Sequence, residues 1–303
     1  MAQWTVSDIP SQRGRSAVVT GTGGLGYEDA RALAKAGCDV IIAGRNAAKG
    51  AAAVAKIRAE LPFAIIRFEQ LDLASLASIK DFSKRLRSQQ DSLDLLINNA
   101  GVMVPPKRQE TQDGFELQLG TNYLGHFALT AELLPLLMKG KNPRVVTLSS
   151  IAARDGVINF NDLNAQKNYR PMPVYSQSKL ACLMFAFALQ RRSDANGWGI
   201  TSIAAHPGIS RTDLLHNAPG RLSVVGIIRS LLWFMFQPVA QGALSTLFAA
   251  TSPDAKAGGY YGPNRLMEMR GFPTEAKIPQ QALDAEASAR LWEISQQLTG
   301  TSL

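Results

Sequence analysis

The sequence predicts an α/β fold: a single Rossmann-like, doubly wound parallel sheet of about seven strands, with helices on both faces. Three observations carry this. Short apolar runs alternate with helical patterns from residue 16 to about residue 206. The runs are apolar on both faces, as strands buried under two helical layers must be. The first run ends in Gly21-Thr22-Gly23-Gly24-Leu25-Gly26, which opens a helical pattern.

Taken in order, residues 1–15 read as an irregular arm. Ala17-Val18-Val19-Thr20 is the first strand, and Ala30, Leu33, Ala34 and Ala36 mark a helix that stops at Gly37. Val40-Ile41-Ile42 is a second strand, and 47–60 an alanine-rich helix. The alternation continues as strand 63–71, helix 75–88 and strand 93–97. A helix follows from about Thr111 to Met138, then strand 144–148, a helix over about 174–192, and strand 201–205. Beyond a Pro207-Gly208 turn the pattern is less regular. Tyr260-Tyr261-Gly262-Pro263 ends one further strand, and a closing helix lies near 282–298. No repeat or low-complexity linker interrupts the chain. Residues 16–303 therefore read as a single dinucleotide-binding catalytic domain, with a substrate-loop or lid region at about 207–257.

Composition narrows the function classes. Of 303 residues, 46% are apolar and 18% charged, which is globular rather than disordered or membrane-spanning. The first twenty residues lack the apolar core of a secretory leader. The longest apolar stretch, 223–236, is broken by Arg229 and falls short of the roughly 20 residues that span a bilayer. Two cysteines, Cys38 and Cys182, cannot build a disulfide framework and read as packing thiols, so a cytoplasmic protein is expected. Lys and Arg number 32 against 24 Asp and Glu, a net charge of +8. The basic residues are dispersed, which favours a solvated surface over nucleic-acid binding. His126 and His206 stand at no metal-ligand spacing, so no metal site is expected.

The glycine loop reads as G-x-G-x-x-G. Its glycines permit a tight turn, a close backbone approach to a pyrophosphate and close helix–strand packing. The anion would sit on the helix N-terminus, where free N–H groups favour it. NAD-binding units carry an acid about 20 residues further on. Here that region is Ile42-Ala43-Gly44-Arg45-Asn46, with no acid. Gly44 leaves room, and Arg45 supplies a cation able to grip a 2′-phosphate in a bidentate fashion. The expected cofactor is NADP(H), with NAD(H) as the alternative.

Tyr175-Ser176-Gln177-Ser178-Lys179 places a Tyr and a Lys on one helical face. An ammonium near a phenol favours the phenolate, which suits the Tyr to general acid catalysis on a carbonyl. The preceding strand ends in Ser149-Ser150, at the edge where parallel sheets bind ligands.

With these residues in hand, the chain resembles the short-chain dehydrogenase/reductase family over residues 14–210. The resemblance rests on Thr20–Gly26, Asp72-Leu73 after the third strand and Asn98-Asn99-Ala100-Gly101 after the fourth. It rests also on Asn122 in Thr121-Asn122-Tyr123-Leu124-Gly125-His126, on Ser150, Tyr175 and Lys179, and on Pro207-Gly208. The Asn122–His126 block, the Ile158–Leu163 insert and the ending Leu291-Trp292-Glu293-Ile294-Ser295 resemble the retinol-dehydrogenase-like branch. The Trp4–Pro10 arm resembles that of its soluble bacterial members.

The resemblance implies roles. Tyr175 would donate the proton, and Lys179 would favour the phenolate and hold the nicotinamide ribose. Ser150 would hydrogen-bond the substrate oxygen, and Asn122 would support a water-linked proton relay to Lys179. The cofactor would be cradled by Gly21, Thr22, Gly23, Gly24, Leu25 and Gly26, with Arg45 and Asn46 at its phosphorylated ribose. Asp72 and Leu73 would meet the adenine, and Asn99, Ala100 and Gly101 the adenosine side. Pro207, Gly208, Ile209 and Thr212 would meet the carboxamide. Two departures stand out. The family loop is T-G-x-x-x-G-x-G, and Thr20–Gly26 is one residue short of it. The gap of 25 between Ser150 and Tyr175 exceeds that of the shortest members, as this branch's insert requires.

The leading expectation is a carbonyl reductase or alcohol dehydrogenase acting on an apolar ketone, aldehyde or secondary alcohol. The alternative is a non-catalytic dinucleotide-sensing or scaffold protein on the same fold; an epimerase or dehydratase ranks third. The apolar segment 222–236 is read first as a substrate lid. A contact between subunits of a homo-oligomer and an amphipathic membrane-surface segment are its other readings.

Overall fold

The computed structural model describes residues 3–210 and 237–303. The expected lid segment, 222–236, and Thr212 lie outside the described residues. The strands are β1 (Ser16–Thr20), β2 (Asp39–Gly44), β3 (Ile66–Gln70), β4 (Leu95–Asn98), β5 (Arg144–Leu148), β6 (Thr201–Ala205), β7 (Tyr260–Arg265) and β8 (Arg270–Glu275). They form one sheet in the order β3-β2-β1-β4-β5-β6-β7-β8. All neighbours pair in parallel except β7 and β8, which form an antiparallel hairpin. The doubly wound sheet expected from the sequence is present, with the edge strand β8 in addition.

Side chains alternate between two cores, as a period of two dictates. Ala17 and Val19 of β1, Leu95 and Ile97 of β4, and Val146 and Leu148 of β5 enter one core. Val18, Leu96 and Val145 enter the other. The first face is covered by α1 (Gly24–Lys35), α2 (Ala47–Glu60) and α6 (Val239–Thr251). The second is covered by α3 (Leu76–Gln89), α4 (Gly125–Leu137), α5 (Pro171–Asn196) and α7 (Ala285–Thr299).

Helix α5 is the spine of the second layer. It starts with Pro171, whose missing N–H costs nothing in a first turn, and it ends at left-handed Gly197. Between them it is buried almost all round, because sheet, α4 and α7 all pack on it. Phe185 of α5, Phe127 of α4 and Trp292 of α7 meet with ring centroids 5.0–5.8 Å apart. This cluster packs α5 against α4 and α7 farther along the helix that carries Tyr175 and Lys179.

Three local expectations shift. The helix expected from about Thr111 begins instead at Leu117, just ahead of a π-helical turn over Leu119–Leu124 that leads into α4. Ahead of it, Thr111 captures Phe115 from both sides: Phe115 N–H donates to Thr111 Oγ1 at 3.1 Å, and Thr111 N–H donates to Phe115 O at 2.8 Å. A side chain has outcompeted the helix for the backbone. The strand expected from residue 63 begins at Ile66, because the turn closed by Ala64 N–H on Leu61 O leaves Phe63 fully exposed. Strand β8 carries Gly271 and Pro273, and Pro273 faces Pro263 across a bulged stretch of the hairpin. Edge strands and bulges are where proline is tolerated. The arm keeps one short turn, Val6–Asp8, capped by Thr5, and Trp4 meets Phe248 edge-on at 5.5 Å.

One buried carboxyl works against this fold. Asp29, on the inward side of α1, is fully buried, and neither of its carboxyl oxygens has a hydrogen-bond partner among the described residues. Burial first, and then Glu28, push its pKa well above the ordinary 3.8. The folded state therefore holds a proton that the unfolded chain releases, and stability falls as pH rises from the unfolded value toward the raised one. The slope from this group is at most about 1.4 kcal/mol per pH unit. Asp29→Asn should be more stable than the parent in urea denaturation at pH 7, with the advantage shrinking toward pH 4. A constant difference between the two proteins across that range would contradict this reading.

Candidate active site

Strands β1 and β4 are neighbours, yet the chain leaves β1 for β2 on one side and β4 for β5 on the other. A crevice opens beyond their carboxyl ends at such a reversal. One hydroxyl ties its two walls together. Thr20 Oγ1, at the end of β1, accepts the N–H groups of Asn99 and Ala100 beyond β4, each at 2.9 Å. The Asn99 side chain returns the contact, donating from Nδ2 to Thr20 O at 2.7 Å.

The glycine loop follows directly. Gly21 has φ +105°, a conformation L side chains rarely adopt, and its N–H donates to Ala43 O at 2.8 Å. A Cβ at Gly26 would meet Asn99 Nδ2 at 2.5 Å and Gly21 O at 2.8 Å, so only glycine lets α1 pack this close to the strand ends. Gly23 is the N-cap of α1 and offers no side-chain cap. The first-turn amides therefore have no partner from the cap and are available to an anion.

Two adjoining cavities of about 230 and 270 Å³ share Gly21, Thr22, Ala100, Gly101 and Val102. The first is completed by Gly23, Gly24, Leu25, Asn99, Leu148, Ser149, Tyr175, Lys179 and Pro207. Tyr175 and Lys179 are 8% and 6% exposed, one turn apart on α5. Lys179 Nζ donates to Leu148 O at 3.0 Å, its one hydrogen bond among the described residues. An ammonium has three donors, so two remain for the cavity. Ser149 Oγ donates to Lys179 O at 2.8 Å and fixes α5 against the end of β5. Ser150 caps the next turn, its Oγ accepting from Ala152 N–H at 3.2 Å.

The second cavity is lined by Gly44, Arg45, Asn46, Lys49, Asp72 and Leu73, together with Leu71 and Thr121. Asn46 caps α2, accepting from Lys49 N–H at 2.9 Å. This puts Lys49 one turn beyond Arg45, both against the same cavity. Lys49 was missed in the sequence, although its four-residue spacing from Arg45 signals it. A Cβ at Gly44 would meet Thr22 Cγ2 at 2.7 Å, so a side chain there would have to turn the Thr22 side chain aside. Asp72 Oδ1 accepts from Ala74 N–H at 2.9 Å, which fixes its carboxylate in a turn beside the cavity. Pro207 lines the first cavity, and Gly208 and Ile209 continue its turn.

A protein-family model described as short chain dehydrogenase matches residues 15–221. The chain belongs to the short-chain dehydrogenase/reductase family. Polyprenol dehydrogenase of Mus musculus is 41% identical over 298 residues, covering 96% of this chain and 86% of that protein. Retinol dehydrogenase 12 of Mus musculus is 37% identical, covering 95% and 87%. A crystal structure of a protein from Mycobacterium paratuberculosis is 39% identical and covers 99% of both chains with a TM-score of 0.82. A short chain dehydrogenase from Burkholderia cenocepacia in complex with NADP is 23% identical with a TM-score of 0.63, a likeness of fold. The chain is thus an oxidoreductase of a family that binds nicotinamide dinucleotides. Its glycine cradle, uncapped helix start and paired cations fit such a group. Among the described residues, no helix is long and apolar enough to cross a membrane.

The π-helical turn that carries Asn122 is locked from several sides. Asn122 Nδ2 donates to Val102 O and to Ser178 Oγ, both at 3.0 Å, and Asn122 Oδ1 accepts from Val102 N–H at 2.8 Å. The main-chain carbonyl of Asn122 is engaged by His126 Nδ1 at 2.9 Å and by the Cys182 thiol at 3.1 Å. His126 Nε2 lies 2.9 Å from Thr20 Oγ1. A carbonyl can only accept, so Nδ1 carries the proton and Nε2 accepts from the Thr20 hydroxyl. Burial pushes the His126 pKa down to about 4. A depressed histidine binds fewer protons folded than unfolded, so its contribution to stability is lost as pH falls from about 6.5 toward 4. Long-range ¹H–¹⁵N spectra of the imidazole should show the neutral Nδ1–H tautomer at pH 6. An imidazolium or an Nε2–H tautomer at that pH would contradict the network.

Proposed function

We propose that this protein is an NADP(H)-dependent oxidoreductase that interconverts an apolar carbonyl compound and its alcohol, with Tyr175 as general acid and base. The observation that carries this is one crevice with Tyr175 and Lys179 at one end and Arg45 and Lys49 at the other. The two cations suit a 2′-phosphate, and Gly44 leaves this end of the cavity without an acid. The polyprenol and retinol dehydrogenases among its relatives support an elongated apolar substrate. Cys38 and Cys182, both free and buried, support a reducing compartment such as the cytoplasm.

The nicotinamide supplies or accepts the hydride when bound. The Tyr175 hydroxyl delivers the proton to the carbonyl oxygen as it gains charge. Lys179, pinned by Leu148 O, lines the same cavity as Tyr175 and directs its free donors into it. Ser150 is assigned to orient the substrate oxygen, and Ser149 holds the strand end on which it sits. Asn122 enters as a positioning residue. Both lone pairs of its carbonyl are engaged, and its amide anchors Ser178 beside Lys179.

Tyr175→Phe should lower kcat by at least about 10²-fold with NADPH binding retained. Near-parental turnover would favour a different acid, and a parent inert toward every carbonyl would favour the dinucleotide-sensing reading. Absorbance assays of NADPH and NADH oxidation against all-trans-retinal, a long isoprenoid aldehyde and a small aldehyde measure this.

Arg45→Ala should weaken NADPH by roughly 1.5–3 kcal/mol, the range for a charged hydrogen bond. Lys49→Ala should cost less, and NADH binding should change little in either. Equal losses for both cofactors, by fluorescence titration, would remove the two cations from 2′-phosphate recognition.

A further inference from the structure

The turns after β5 and β6 approach the Tyr175 cavity from neighbouring strands, through Ser149 and Pro207. Away from the cavity, one carboxylate bridges them. Glu268, in the β7–β8 hairpin loop, accepts at Oε2 from Arg154 Nη2 at 2.5 Å and from His206 Nε2 at 2.9 Å. Its Oε1 accepts from Lys277 N–H at 2.9 Å. Arg154 lies in the turn Ile151–Asp155, which Ser150 caps. Arg154 Nη1 also donates to Met267 O at 3.2 Å.

His206 relays the hold to the second turn. With Nε2–H given to Glu268, Nδ1 is free to accept Gly208 N–H at 3.3 Å. Ile209 N–H donates to Met269 O at 2.8 Å, so the hairpin loop also grips this turn through its backbone. Gly208 is left-handed, and a Cβ there would meet Met269 O at 2.4 Å. Leu266, Met267 and Glu268 have φ of 49°, 52° and 67°. Three successive non-glycine residues in the left-handed region persist only where other contacts hold them.

We propose that Glu268 is a positioning residue whose carboxylate sets the spacing between the Ser150 turn and the Pro207–Ile209 turn, and so the width of the site between substrate oxygen and nicotinamide. This rests on the oxidoreductase reading for its kinetic consequence, but its structural core can be tested without cofactor. Glu268→Gln keeps the side chain's shape and removes its charge. Glu268→Gly removes the clamp while relieving the backbone. Met267→Gly relieves the backbone with the clamp intact.

Hydrogen exchange on the ligand-free protein should show peptides over 150–156 and over 206–210 both exchanging about tenfold faster or more in the two Glu268 variants. Met267→Gly should exchange like the parent there. Binding of 2′,5′-ADP should be unchanged in all three, because it reads the Arg45 end. With NADPH and all-trans-retinal, kcat should fall about 10- to 100-fold in the Glu268 variants, with a larger primary deuterium isotope effect from 4-deuterated NADPH. Acceleration confined to the hairpin, parental exchange in Glu268→Gly, or loss of 2′,5′-ADP binding alongside turnover would each overturn the proposal. A parent that binds no 2′,5′-ADP and oxidises no NADPH would refute the oxidoreductase reading and leave the exchange result standing by itself.

Discussion

The site depends on the hydroxyl of Thr20. It accepts two backbone amides from beyond β4 and gives its proton to His126, whose other nitrogen holds the carbonyl of Asn122. Ile97 O lies at 3.2 Å from the same hydroxyl, farther than His126 Nε2 at 2.9 Å. The neutral imidazole needs that proton to complete its hydrogen bonds, so the shorter contact takes it. Thr20, Asn122 and His126 are buried, where an unmade hydrogen bond costs about 1–3 kcal/mol. Such a network has one arrangement. It joins the glycine loop, the Asn99–Gly101 turn and the π-helical turn into a rigid wall, and chemistry can be aligned against it.

The crevice that results is asymmetric in charge and burial. At the β2 end, Arg45 and Lys49 are exposed and line the cavity together. At the α5 end, Lys179 is almost wholly buried, with Leu148 O its one hydrogen-bond partner among the described residues. Farther along the same helix, Phe127, Phe185 and Trp292 pack α5 into the second core. The helix that presents Tyr175 and Lys179 to the cavity is thus also the spine of that core.

Much of this was legible in the sequence because the relevant signals are local. Alternating apolar runs define the strands, and the glycines of the first loop act within seven residues of chain. Tyr175 and Lys179 share a helical face, and Arg45 sits where an acid would otherwise stand. What was not legible is tertiary. Thr20 and His126 are 106 residues apart, and His206 and Glu268 are 62 apart, with no periodicity to link either pair. Local signals also misled where a side chain competes for the backbone, as Thr111 does with Phe115. Strand β8 was hidden by its Gly271 and Pro273, residues that mark turns except on an edge.

The most direct test is a crystal structure with NADPH. The account predicts the 2′-phosphate between Arg45 and Lys49, the pyrophosphate on the N-terminus of α1, and the nicotinamide between Tyr175 and Pro207. A cofactor bound in the reverse sense, or one whose nicotinamide lies away from Tyr175, would contradict it.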